Sequence, residues 1–310
     1  MSKIIEEKYN IEKVPIIRRN SFIKSLKVYL KAESKLLFQG LKSAYRDPLI
    51  LMARIIWPKT VDRAIRPQAQ WFDMTPSKPN GKAILLAHGF SATPEAFRDV
   101  APGLVKQGYY VRAIRISGHG TSPGHLATTS GAEWFASVAW HYQETSKKYD
   151  RIYYVGHSLG GTLGLLLSTI YPIERILVMC APIKLNIPPA KFVRQASILV
   201  KYWPRSRRRR NKIRELGTAY YDVSPLYAIA GIFEVGEILR KRSNLLKTPV
   251  MYVSAKYDAR SLLDQADIFK EHFTETPIEF RIAENSKHEI LEGPDKPLID
   301  QWILEWFDSE

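Results

Sequence analysis

From residue 81 onward the chain alternates short apolar runs with longer helical stretches, and that rhythm restricts the fold more than any other property. The runs are "KAILLAHG" (82–89), "YYVRAIRI" (109–116), "RIYYVG" (151–156), "RILVMCAP" (175–182), "PVMYVSA" (249–255) and "PIEFRIAE" (277–284). They are β-branched or aromatic, mostly apolar, and lack strict alternation, as strands of a parallel sheet buried on both faces do. Between them, 94–107, 131–149, 158–171, 261–274 and 294–308 read as helices. The alternation predicts an α/β fold with a doubly wound, mostly parallel sheet and right-handed crossovers. One interval breaks the rhythm: residues 183–247 separate two strands by far more chain than a crossover requires. That interval is expected to form a helical cap insertion over the carboxyl edge of the sheet, within a domain of residues 71–310.

The first seventy residues differ in character. They hold 15 basic against 6 acidic residues, and residues 201–214, "KYWPRSRRRRNKIR", hold 8 basic and none acidic. The formal net charge of +15 therefore sits almost wholly on these two segments. From Phe22 to Tyr45 apolar residues recur at a helical period, with Lys24, Lys27, Lys31, Lys35 and Lys42 on the opposite side. "RDPLILMARIIWP" then offers Asp47 as N-cap, Pro48 at the first helical position and Pro58 as a stop. Residues 1–70 thus read as a basic, helical N-terminal extension. It is suited either to packing on the domain or to peripheral association with an anionic membrane. No apolar run is long enough for a transmembrane helix, and no secretory leader is apparent. One cysteine, Cys180, excludes an internal disulfide and reads as a small buried hydrophobe. A cytoplasmic location is expected, with peripheral attachment to the inner membrane face as an extension of it.

Chemistry concentrates in "YYVGHSLGGTLGLLL" (153–167). G-x-S-x-G is a common accident in isolation, but here it ends a strand and opens a helix, the context of a nucleophile elbow. Gly156 and Gly160 allow strand and helix to approach around the turn, and the turn presents the Ser158 hydroxyl. A serine needs a base to take its proton, and the base needs an orienting acid. In this topology the acid and then the histidine follow later strands. Asp258 stands just past "PVMYVSA", and His288 lies in the loop between "PIEFRIAE" and the last helix. Asp264 is the rival acid, set inside the next predicted helix. An oxyanion needs fixed N–H donors; Leu159, after the nucleophile, and Phe90, after His88-Gly89, are the candidates. His88, His119 and His157 read as loop braces.

These residues resemble the α/β-hydrolase superfamily, in particular its small bacterial carboxylesterases and related monoacylglycerol lipases. "LLAHGFSATPEAF", "IRISGHGTSP", "GHSLGGTLGLLLS", "PIERILVMCAP" and "SKHEI" carry the likeness in order, over residues 81–308. The resemblance implies a serine hydrolase with Ser158, Asp258 and His288 as its triad, Phe90 and Leu159 as oxyanion donors, and a cap that shapes an acyl pocket. It implies a small-molecule or lipid ester as substrate, and neither metal nor organic cofactor. Two features depart from it: the basic segment in the cap and the first seventy residues. A carboxylesterase is the leading reading, with a monoacylglycerol lipase or lysophospholipase at a membrane surface as the close rival. A reading of another class takes 201–214 as a binding segment for membrane or nucleic-acid phosphates; nucleic acid is disfavoured, because such a run is more often solvated or lipid-facing.

Overall fold

Strands buried on both faces need apolar side chains at consecutive positions, and the central runs supply them. In the computed structural model, residues 62–184, 193, 197, 200–215, 217–258 and 265–308 are described. In chain order the elements are β1 (Phe72–Met74), β2 (Lys82–Ala87), α1 (Ala101–Lys106), β3 (Tyr110–Ile114), α2 (Pro123–Leu126), α3 (Gly131–Ser146), β4 (Arg151–His157), α4 (Leu159–Ser168) and β5 (Ile176–Met179). They continue with β6 (Tyr202–Pro204), α5 (Arg207–Glu215), β7 (Val223–Pro225), α6 (Leu226–Lys241), β8 (Val250–Ala255), α7 (Gln265–His272), β9 (Ile278–Ala283) and α8 (Lys296–Asp308). Among the described residues, seven strands form one sheet in the order β1-β3-β2-β4-β5-β8-β9, parallel throughout except that β1 runs antiparallel to β3. This is the mostly parallel α/β sheet that the alternation predicted.

Alternate residues of each strand enter different cores. Leu85 of β2, Tyr154 of β4 and Val178 of β5 join Trp134, Leu163 and Phe269 on one side. Leu86, Val155 and Leu177 join Leu104, Ile303 and Phe307 on the other. Helix α3 is started by a reciprocal cap: Ser130 accepts from the Glu133 N–H, and the Glu133 carboxylate accepts from the Ser130 N–H.

Several elements depart from the reading of the sequence. The 94–107 stretch is not one helix but a 3-10 turn, Pro94–Phe97, followed by α1. Pro102 lies in the first turn of α1, where its missing N–H costs nothing; in mid-helix it would break the ladder. β1 is too short for any periodicity to reveal. The insertion also divides in two. Its antiparallel β6–β7 pair and the α5 between them form a separate small sheet and helix, whereas α6 packs on α3 and α4 and completes the core there through Ala228, Val235, Ile238 and Leu239. The candidate helices within 22–57 and the rival Asp264 lie outside the described residues. Of the extension's last residues, Arg66 donates its N–H to the Gly120 carbonyl at 2.9 Å, and Ala69 is buried. Among the described residues no helix is long and apolar enough to cross a membrane.

Candidate active site

Strand order fixes where a crevice opens. The chain leaves β2 for β3 on one side and returns past it to β4 on the other, so the loops after β2 and β4 part company at the carboxyl edge. Ligand crevices form at such switch points. Phe90 follows β2 there and Ser158 follows β4, while Asp258 and His288 follow β8 and β9 on the same edge.

The turn at Ser158 is sharp: its backbone is at φ 51°, ψ −120°, a conformation that non-glycine residues avoid. It is held because the Ser158 N–H donates to the Met179 carbonyl of β5 at 2.7 Å, and α4 begins at the next residue. The glycine two residues on is demanded by contact. A β-carbon on Gly160 would lie 2.2 Å from the Ala87 carbonyl oxygen and 2.6 Å from that of His88. Gly160→Ala is therefore expected to force β2 aside and cost about 3 kcal/mol. A urea midpoint equal to that of the parent protein would contradict this account of the close packing.

Three side chains from separate loops meet at this turn. The Ser158 hydroxyl donates to His288 Nε2 at 2.9 Å, and His288 Nδ1–H donates to Asp258 Oδ2 at 2.7 Å. The Asp258 side chain is 2% exposed and that of His288 10%, so the carboxylate is dry and the imidazole keeps only a little access to solvent. The loop carrying His288 is held at several points. Asp295 accepts from the Asn285 backbone N–H at 2.8 Å and from its side-chain amide at 3.0 Å, and Tyr257 N–H donates to Ser286 O at 3.1 Å. His157 Nε2–H donates to the His288 carbonyl at 2.8 Å. Burial pushes His157 down to about 4, which keeps it neutral and able to serve as this brace.

The loop after β2 is braced by a second histidine. His88 Nδ1–H donates to the Gly89 carbonyl at 2.9 Å, and Ile116 N–H donates to His88 Nε2 at 3.2 Å. Burial holds His88 well below its ordinary value, so both roles suit one neutral tautomer. His119 packs its ring edge-on to His88 and Phe90 and bonds through Nδ1 to Ser117 O at 3.0 Å. Ser91 takes φ 61°, and its carbonyl accepts from the Tyr221 N–H of the insertion. Among the described residues, no hydrogen bond engages the backbone N–H of Phe90 or of Leu159. Leu159 is the first residue of α4, where the intrahelical ladder leaves amides unsatisfied and the helix dipole favours negative charge.

Two placements were not legible from the chain. Arg209 of α5 points inward, making a bidentate pair with Glu292 at 2.8 and 3.3 Å, and Arg205 lies 4.0 Å from Glu289. Part of the basic segment thus ties the insertion to residues just past His288; Arg207 and Arg214 remain exposed, and Trp203 is 62% exposed. Cys180 is buried as expected, but its sulfur, an Asp258 oxygen and a His288 nitrogen all lie within 4.8 Å of one another. These are metal-ligand atom types. The Nδ1–H···Oδ2 bond already joins two of them, so a cation would have to displace the proton between His288 and Asp258.

A serine with its hydroxyl on an imidazole, backed by a buried carboxylate and flanked by open amides, can perform acyl transfer. The protein family described as serine aminopeptidase S33 (Hydrolase_4) matches residues 78–295. A carboxylesterase of Bacillus subtilis (strain 168) is 25% identical over 75% of this chain and 94% of its own length. A thermostable monoacylglycerol lipase of Bacillus sp. (strain H-257) is 27% identical over 72% of this chain and 89% of its own length. Among solved structures, a metagenome-derived lipolytic enzyme superposes with a TM-score of 0.69 at 20% identity, covering 80% of this chain and all of that one, a likeness of fold.

Proposed function

This chain belongs to the serine aminopeptidase S33 (Hydrolase_4) family, within the α/β-hydrolases, and from that premise we propose that it hydrolyses carboxylic esters through an acyl-enzyme on Ser158. The observation that carries the proposal is the unbroken hydrogen-bond chain Ser158–His288–Asp258 at the switch point of the sheet. Ser158 Oγ attacks the ester carbonyl as His288 Nε2 takes its proton. Asp258 stabilises the imidazolium and keeps Nδ1 protonated. The Phe90 and Leu159 N–H groups receive the oxyanion. His288 then protonates the departing alcohol, and water activated by the same imidazole releases the acid. Residues 71–310 act as the catalytic domain, with 183–247 as the insertion that shapes the entrance and 1–70 as an extension.

Esters are favoured over peptides because a carboxylesterase and a monoacylglycerol lipase each match this chain over most of their own length. A lipid monoester is the second reading, favoured by the exposed Trp203 beside the basic helix α5, an arrangement suited to an anionic interface. A fluorophosphonate probe followed by peptide mapping tests the mechanism: label is expected on Ser158 and is expected to vanish in folded His288→Ala. Rates on a series of acyl lengths, ending in a long-chain monoacylglycerol, separate the two substrate readings. Activity that only falls beyond about four acyl carbons would dismiss the lipid one, since each added buried methylene should strengthen binding in a lipid pocket.

A further inference from the structure

Among the described residues, three non-glycine residues have positive φ: Ser91 at 61°, Ser158 at 51° and Cys180 at 50°. Ser91 belongs to the loop after β2 and Ser158 is the elbow, so the third strained position calls for its own explanation. Such a backbone costs about 1–3 kcal/mol and persists only where its surroundings enforce it. Cys180 stands one residue past β5. Its N–H donates to the Val253 carbonyl of β8 at 2.8 Å, and the preceding carbonyl, of Met179, accepts from Ser158. The left-handed turn thus lies between the elbow and the strand that leads to Asp258.

The thiol is fully buried, and its sulfur lies within 4.8 Å of an Asp258 carboxylate oxygen and of a His288 ring nitrogen. We propose that Cys180 is a positioning residue whose S–H donates to the Asp258 carboxylate and so steadies its aim at His288 Nδ1–H, extending the relay to Cys180–Asp258–His288–Ser158. The inference rests on the acyl-enzyme reading of Ser158. Burial, with Asp258 beside it, pushes the thiol well above its ordinary range, so it stays an S–H donor and is not a nucleophile. A carboxylate this dry needs donors to remain an anion, and each donor fixes its orientation and lowers its basicity. Without the thiol, the carboxylate becomes more basic and favours the imidazolium more strongly, while its aim at Nδ1 loosens.

These two effects give a signature that altered packing would not. In Cys180→Ala, kcat is expected to fall about tenfold with KM little changed, and the midpoint of the acidic limb of kcat/KM to move up by about half a unit. Cys180→Gly, which relieves the left-handed strain but also lacks a donor, is expected to behave like the alanine variant. Cys180→Ser, which keeps a donor, is expected to retain kcat and to place the limb at or below the parent position. The neighbouring groups His157, Glu289 and Arg205 are common to the whole series. Profiles are read only where circular dichroism shows each variant folded, and each variant is labelled with the fluorophosphonate probe. Labelling at Ser158 with limb and kcat unmoved in the alanine and glycine variants would overturn the role of Cys180 alone, as would a serine variant as impaired as alanine. Absence of label on parental Ser158, or label that survives in His288→Ala, would remove the acyl-enzyme reading and this inference with it.

Discussion

Ser158→Ala is expected to lower kcat/KM by about four orders of magnitude or more, because under the proposed mechanism it deletes the atom that would bond to the acyl group. Asp258→Asn is expected to cost on the order of 10³- to 10⁴-fold while leaving the geometry intact, since an amide in place of Oδ2 can present N–H to Nδ1 and so favour the wrong tautomer. The losses should not add. Once Ser158 is gone, His288 has no hydroxyl to activate, so Ser158→Ala/His288→Ala should be no slower than the worse single variant. Steady-state kinetics on a chromogenic ester measure all three, and a double variant slower by the product of the single effects would show that the groups act independently. The same position carries a second expectation. At φ 51° a glycine is unstrained, so Ser158→Gly should be inactive yet more resistant to urea than the parent protein.

Acid is expected to unfold this protein steeply. His88, His119, His141 and His157 are all buried, and burial is the first cause of depression in each: His119 and His157 are pushed down to about 4, His141 to about 3, and His88 well below its ordinary range. An unfolded histidine titrates near 6.5. Between that value and the depressed native ones, the unfolded chain binds protons that the native chain refuses, so stability is complete above about pH 6.5 and is lost as pH falls toward 4. Each such group contributes a slope of about 1.4 kcal/mol per pH unit, so four acting together approach roughly 5 kcal/mol per unit. Set against a typical total of about 5–15 kcal/mol, this predicts a sharp acid transition near pH 5. Urea midpoints measured from pH 8 to 5 check it. His141→Gln is the informative variant, because its ring packs against Trp71 and Trp140, it belongs to none of the hydrogen bonds around Ser158, and its Nδ1 has no hydrogen-bond partner. That variant should flatten the dependence by about one proton, and an unchanged slope would mean that His141 is not among the groups responsible.

What the chain disclosed about this site follows from where its information is local. The elbow at 156–160 is readable because strand, glycines, serine and helix are contiguous. Asp258 and His288 are readable because topology places them just past strands, and the structure does bring both to Ser158. Cys180 reads as a small hydrophobe because nothing in "RILVMCAP" marks a left-handed residue; the position carries no glycine, and its spatial neighbour Asp258 is far along the chain. The arginine run reads as a solvated or lipid-facing segment for a similar reason: the carboxylate that takes Arg209 lies 83 residues away. β1 is three residues long, too few for any period, and α1 could not be separated from the turn before it without weighing Pro102 as a starter.

The pairs Arg205–Glu289 and Arg209–Glu292 give the insertion a foothold on the chain immediately beyond His288. A graft that lengthened or shortened the insertion to admit a different acyl group would therefore also tug on the imidazole. Under the proposed mechanism selectivity and turnover in this scaffold would be mechanically yoked, and an engineer who retunes one should find the other drifting with it.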